Sequence, residues 1–236
     1  MKIEIWSDIV CPFCYIGKRH LELALEQFEH KDDVDIIWRS FELDPTAPAV
    51  AEGNLAEKIS KKYGISLEKA EASQRDIAAR AEAVGLTFNW QKARYGNTFD
   101  AHRMVHLAAQ HGLVDQAEET FKKAYFTDGQ AVGDPQVLRS VAAEIGLPTD
   151  EVEEVLASDK FADEVRDDEC KAQELGISGV PFFLLEEKWA INGAQPVEMI
   201  LAGLRQVWAE THPTPQPTFI TVDGADAAAS CGPNGC

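Results

Sequence analysis

The polar–apolar pattern changes character three times along the chain. Residues 2–7 form a short run carrying Ile3, Ile5 and Trp6, which reads as a strand. A helical recurrence follows, with Ile16, Leu21, Ala24, Leu25 and Phe28 at three- and four-residue spacing, and predicts a helix over residues 12–30. Residues 34–41 are nearly continuous in apolar and β-branched side chains, the pattern of a parallel strand covered on both faces. Strand, helix and strand make a right-handed βαβ unit.

The connection Asp44-Pro45-Thr46-Ala47-Pro48 ends that pattern. From about residue 54 to 176 the chain is rich in Ala, Glu, Lys, Gln and Leu, all helix formers. Starts and stops divide the stretch. One helix begins at Ser66 and stops before Gly85; others run from Thr98 to Gln110 and from Asp115 to Phe126. Asp134-Pro135 caps the next, which ends at Gly146; Thr149 starts another, and Ser158-Asp159 starts one that reaches Gly176. The pattern then returns to strands at residues 182–186 and 189–192. A last helix carries Val197, Ile200, Leu201, Leu204 and Trp208 on one face. Beyond His212 the composition turns to Pro, Gly, Asp, Ala and Ser, which reads as a mobile tail.

The 236 residues suffice for one large domain or two small ones, and 45% hydrophobic content is ample for a core. A formal net charge of −18 repels phosphate backbones and anionic lipid, so neither nucleic acid nor a membrane is expected as a partner. No apolar stretch of signal-peptide length precedes residue 11, and no run approaches the roughly 20 residues of a membrane span. A cytoplasmic location is expected. Five cysteines are too few for a disulfide framework, and in a reducing compartment paired cysteines are more often catalytic than structural.

Cys11-Pro12-Phe13-Cys14 stands where the first strand hands over to the first helix. At a helix N-terminus the unpaired N–H groups and about half a positive charge favour a thiolate at Cys11. Pro12 suits the first turn, where its missing N–H costs nothing. Cys14 lies one turn further in. On this reading Cys11 is exposed and attacks, while Cys14 resolves. A metal half-site and two core cysteines are the other readings of this spacing; the strand before and the helix after favour redox chemistry.

The segment Ser7-Asp8-Ile9-Val10-Cys11-Pro12-Phe13-Cys14-Tyr15-Ile16-Gly17 resembles the active-site segment of the DsbA-like thioredoxin-fold oxidoreductases, closest to the cytoplasmic FrnE-type branch. Gly176-Ile177-Ser178-Gly179-Val180-Pro181-Phe182-Phe183 resembles the family's cis-proline loop, and Asn192-Gly193-Ala194-Gln195-Pro196 its final strand-to-helix corner. The three pieces fall in the family's order, and the likeness runs from residue 1 to about 210. It implies an α/β thioredoxin fold, discontinuous over residues 1–45 and 177–211, with an all-helical domain inserted at 46–176 and a tail at 212–236. It also implies a cis bond before Pro181, the Val180 backbone facing the Cys11 sulfur, and substrate contacts at Val180, Phe13 and Pro12. The most oxidising DsbA proteins carry histidine where this chain has Phe13, so the couple is expected to be less oxidising than theirs.

Other positions carry two readings each. Asp8 could accept the Cys14 proton through water, or cap the loop. Asn97-Thr98-Phe99-Asp100-Ala101-His102-Arg103 resembles a segment shared with glutathione-using relatives, in which Asn97 and His102 face the Cys motif; a capped helix with a buried histidine is the alternative. Cys231 and Cys236, with four residues between them near the end of the tail, are candidates for an intramolecular redox partner, an inert tail or a soft-metal site. Cys170, alone among charges, reads as incidental. The six histidines show no metal-ligand spacing. No metal and no cofactor are expected beyond the redox-active disulfide itself, with glutathione the candidate co-substrate.

The leading function is thiol–disulfide exchange with protein or small-molecule partners. A glutathione-dependent isomerase or transferase, like the 2-hydroxychromene-2-carboxylate isomerases and kappa-class glutathione transferases, is the second. Those relatives lack the second cysteine of the motif. A thiol metal buffer is the third.

Overall fold

The first strand, β1 (Lys2–Ser7), shows how the sheet is sandwiched. Ile3 and Ile5 point to one face, Glu4 and Trp6 to the other, and all four are at most 1% exposed. Burial on both faces means that each face is covered by helices. The computed structural model describes residues 1–213; the tail cysteines Cys231 and Cys236 lie outside the described residues.

Helix α1 (Pro12–Glu26) follows, then β2 (Asp35–Ser40). Seven helices come next: α2 (Leu55–Tyr63), α3 (Leu67–Glu82), α4 (Phe99–Gln110), α5 (Val114–Phe126), α6 (Pro135–Ile145), α7 (Thr149–Ala157) and α8 (Ala162–Glu174). The chain closes with β3 (Phe182–Leu185), β4 (Trp189–Asn192) and α9 (Val197–Thr211). The sheet order is β2-β1-β3-β4. β1 and β2 are parallel, with Ile5 opposite Trp38; β3 runs antiparallel to β1, with Ile5 opposite Phe183. This is the thioredoxin-like fold of the DsbA type.

Each face has its own core. Ile3, Ile5, Phe183 and Leu185 pack with Leu21 of α1 and Ile200 and Leu204 of α9. Trp6 and Leu184 pack with Ala172 of α8 on the other face. The helical layer has a third, larger core, and Tyr15 and Ile16 of α1 belong to it. α1 is therefore shared: one stripe holds the sheet and the other holds the helices.

Four details differ from the sequence reading. β2 is an edge strand with only Trp38 and Ser40 buried, so its apolar run is not that of a strand covered on both faces. α1 stops at Glu26, and α8 starts at Ala162 after Phe161 takes a positive φ of 65°. α2 also forms a helix of its own, ended by Gly64 in the left-handed region, a conformation glycine adopts without penalty.

Candidate active site

Cys11 caps α1 in extended conformation, with φ −86° and ψ 114°, and Pro12 occupies the first helical position. Cys11 thus stands at the positive end of the α1 dipole. Across from it lies the loop before β3. The Val180–Pro181 peptide is cis, and the Cys11 thiol donates to the Val180 carbonyl at 3.6 Å. The loop and α1 touch closely: a Cβ built on Gly17 would lie 2.9 Å from the Pro181 ring, so glycine at 17 lets the two elements meet.

The sequence reading had Cys11 exposed. It is 4% exposed. Beside the Val180 loop, its sulfur is reached through a cavity of about 520 Å³ rather than from open solvent. Phe13, at 38%, is the exposed member of the motif. Cys14 is 1% exposed and faces inward. Burial pushes its thiol well up, and the hydrogen bond and charge of Cys11 push in the same direction; Lys122 and a backbone hydrogen bond at Asp8 oppose them in part. Both cysteines are free thiols. Cys170 is an exposed free thiol on α8.

Beneath the motif sits a buried polar group. Asp8 is 1% exposed; its Oδ2 accepts the Leu43 N–H at 2.8 Å, and its backbone carbonyl accepts the Cys11 N–H at 3.2 Å. Its Oδ1 lies 3.5 Å from Nε2 of His102, which is also 1% exposed, and neither atom has a hydrogen-bond partner among the described residues. Burial disfavours charge on His102, but the hydrogen-bonding reach and charge of Asp8, with Glu118 and Glu42, outweigh it and raise the imidazole. Asn97 turns elsewhere: its Nδ2 donates to Glu42 at 2.9 Å and its Oδ1 accepts the Phe99 N–H at 2.9 Å, capping α4. Of the two residues drawn from the shared segment, His102 joins Asp8 behind the motif and Asn97 serves the helix start.

Sequence reasoning missed Glu118 and Lys122, a salt-bridged pair four apart on α5, 2% and 0% exposed. In sequence they lie among Glu119 and Lys123 and look like a solvated charged face. Only the folded chain shows that this face meets α1 and the Trp38 ring, whose centre is 5.5 Å from the Lys122 ammonium. The cavity wall supplied by α2, Tyr95 and Tyr125 was likewise not foreseen.

Residues 2–205 match the family model for the DSBA-like thioredoxin domain, and the chain belongs to that family. A crystal structure from Streptomyces coelicolor, described as a probable DsbA oxidoreductase, is 40% identical, with a TM-score of 0.86 over 100% of this chain and 98% of that one. The YwbO protein of Bacillus subtilis is 28% identical over 78% of this chain and 86% of its own. The cytosolic disulfide reductase DsbM of Pseudomonas aeruginosa shares the fold at 17% identity, with a TM-score of 0.61 over 87% of this chain and 98% of its own. No helix among the described residues is long and apolar enough to cross a membrane.

Proposed function

We propose that the protein is a cytoplasmic thiol–disulfide oxidoreductase of the FrnE-type branch, with Cys11 attacking and Cys14 resolving. The observation that carries this reading is the asymmetry of the pair. Cys11 caps α1 at the wall of a cavity, opposite the Val180 carbonyl, while Cys14 is sealed behind it with its thiol held in the protonated form. A disulfide entering the cavity meets only one sulfur. The Cys11 thiolate attacks it and expels one thiolate. Cys14 then loses its proton and attacks Cys11, releasing the second. Exchange needs one thiol that the substrate can reach and a second thiol beside it to resolve the mixed disulfide.

In this reading Val180 and Pro181 shape the substrate side, and Pro12 and Phe13 its near edge. Glutathione is the candidate co-substrate; DsbM, of the same fold, has been crystallised with it. The pair Cys231/Cys236 is the candidate recycling partner, attacking the Cys11–Cys14 disulfide at Cys11. A 2-hydroxychromene-2-carboxylate isomerase also shares the fold, at 14% identity; the presence of Cys14 supports exchange over that chemistry.

Insulin reduction tests the proposal: Cys11→Ser abolishes turnover, and Cys14→Ser stalls as a mixed disulfide. Retained turnover in Cys11→Ser contradicts it. The couple should lie below about −120 mV, the DsbA extreme, because Phe13 brings no charge to Cys11. Phe13→His should raise the potential by about 20 mV, on a scale where 30 mV is ~1.4 kcal/mol. A glutathione titration reads both values.

A further inference from the structure

The cavity at Cys11 is chemically uneven. Its volume of about 520 Å³ lies within the roughly 300–1,000 Å³ typical of small-molecule sites. Its inner wall is apolar, built from Val10, Leu55, Ile59, Ile77 and Phe126, with the rings of Tyr95 and Tyr125 beside them. Its rim is cationic. Lys58 and Lys62 line it, and an adjoining hollow that shares Leu43 and both lysines adds Lys61.

The three lysines lie three and four residues apart on α2, so they share one side of that helix. The chain has 22 basic and 40 acidic residues, so a cationic rim at this cavity runs against its overall charge. Lys58 is already engaged: its ammonium is 3.2 Å from the Tyr95 ring centre and 3.6 Å from Asp44. Lys61 and Lys62 make no ion pair among the described residues. Asp44 is the one acid lining either hollow, and Thr46, Tyr95 and Lys58 already bind its carboxylate. Tyr125 is 1% exposed, and burial keeps its phenol protonated, so it offers a donor to the cavity.

From this juxtaposition we infer that the substrate exchanged at Cys11 is a low-molecular-weight disulfide with an apolar, ring-sized body and a carboxylate. The body fills the chamber, and the carboxylate meets Lys61 and Lys62. The inference rests on the exchange reading of Cys11 and Cys14 and adds the class of substrate. In the step, the Cys11 thiolate forms a bond to one substrate sulfur as the substrate's S–S bond breaks. Cys14 then bonds Cys11 and expels the second thiolate. The substrate gains two electrons and the dithiol loses two; one half leaves as a thiolate, and the proton given up by Cys14 ends on the other. No further reactant takes part in this single turnover.

Stopped-flow single turnovers of the reduced full-length chain test it with three disulfides: the dianion meta-dithiodibenzoate, its neutral bis-amide, and the symmetric disulfide of an uncharged hexapeptide. Each rate is divided by that of N-acetylcysteine thiolate with the same compound, which removes intrinsic reactivity. The dianion should exceed the bis-amide by roughly tenfold at low ionic strength, the scale of electrostatic focusing. Added salt should erode that ratio. In Lys61→Glu/Lys62→Glu it should fall to about one, and as a ratio it is blind to a general loss of reactivity. A wild-type ratio of one, an unchanged ratio in the double variant, or faster exchange with the peptide overturns the substrate class. If none of the three disulfides oxidises the dithiol, or Cys11→Ser still reacts, the exchange reading itself fails and the substrate class falls with it.

Discussion

Two acids four residues apart, Glu4 in β1 and Asp8 in the loop after it, are both buried and are compensated very differently. Glu4 is 0% exposed, and its Oε1 accepts from Arg39 Nε at 2.9 Å and from Lys171 at 2.7 Å, with the Lys2 ammonium 3.6 Å from its other oxygen. Burial pushes this carboxyl up, but Lys171 and Arg39 outweigh it and hold it below its ordinary range. Asp8 has one backbone N–H and one imidazole at 3.5 Å. A buried charge surrounded by cations is a structural clamp, and removing one partner is costly. Asp8 has no such ring of cations; its side-chain partners are the Leu43 N–H and the His102 imidazole. The first lies under the sheet, on the face away from α1; the second lies under the cysteines.

The two sites should lose their stabilisation in opposite directions of pH. Glu4 has a lowered folded value, so its stabilisation is present above the ordinary 4.5 and is lost as pH falls through the lowered value. His102 has a raised folded value, so its stabilisation is complete below the ordinary 6.5 and is lost as pH rises through the raised value.

The largest effect is expected at the clamp. Glu4→Gln leaves Arg39 and Lys171 facing a neutral group and should cost about 3 kcal/mol in urea unfolding, with Cys11 exchange in the folded protein unchanged. A loss of exchange without a loss of stability would erase the distinction between the two acids. Asp8→Asn should cost less, about 2 kcal/mol at pH 6, within the roughly 1.5–3 kcal/mol of a hydrogen bond to a charged group. It should also flatten the decline in stability above pH 6.5. A wild-type slope that survives in Asp8→Asn would assign that decline to another group. The smallest stability change belongs to Glu118→Gln/Lys122→Met, since a buried ion pair replaced by neutral groups of similar size is often near neutral. Lys122 opposes the rise of the Cys14 thiol, so the double variant should release the bound half of a mixed disulfide several-fold more slowly. Unchanged release kinetics would remove Lys122 from the site.

Where side-chain periodicity decides structure, the sequence was readable: β1, α1 and the capped helices needed only spacing and cap residues, while the corner at Asn192 was legible through its family resemblance. The motif was readable for the same reason, because Cys11, Pro12 and Cys14 take their positions from one local helix start. What escaped depends on long-range packing. β2 has the composition of an inner strand yet ends the sheet, since strand order is set by which helices cover which face. Glu118 and Lys122 look like surface charges because their burial comes from α1 and Trp38, far away in the chain. The cationic rim was hidden because Lys58, Lys61 and Lys62 become neighbours of Cys11 only when α2 folds across the cavity. The burial of Cys11 follows from the same packing.

The division of labour between the two cysteines is tested most directly by trapping. Reduced wild type, Cys14→Ser and Cys11→Ser are mixed with a disulfide substrate, quenched in acid and mapped by mass. Cys14→Ser should accumulate a mixed disulfide at Cys11, wild type should pass through it to the Cys11–Cys14 disulfide, and Cys11→Ser should form no adduct. An adduct on Cys14 in the Cys11→Ser protein, formed as fast as that on Cys11 in Cys14→Ser, would contradict the assignment.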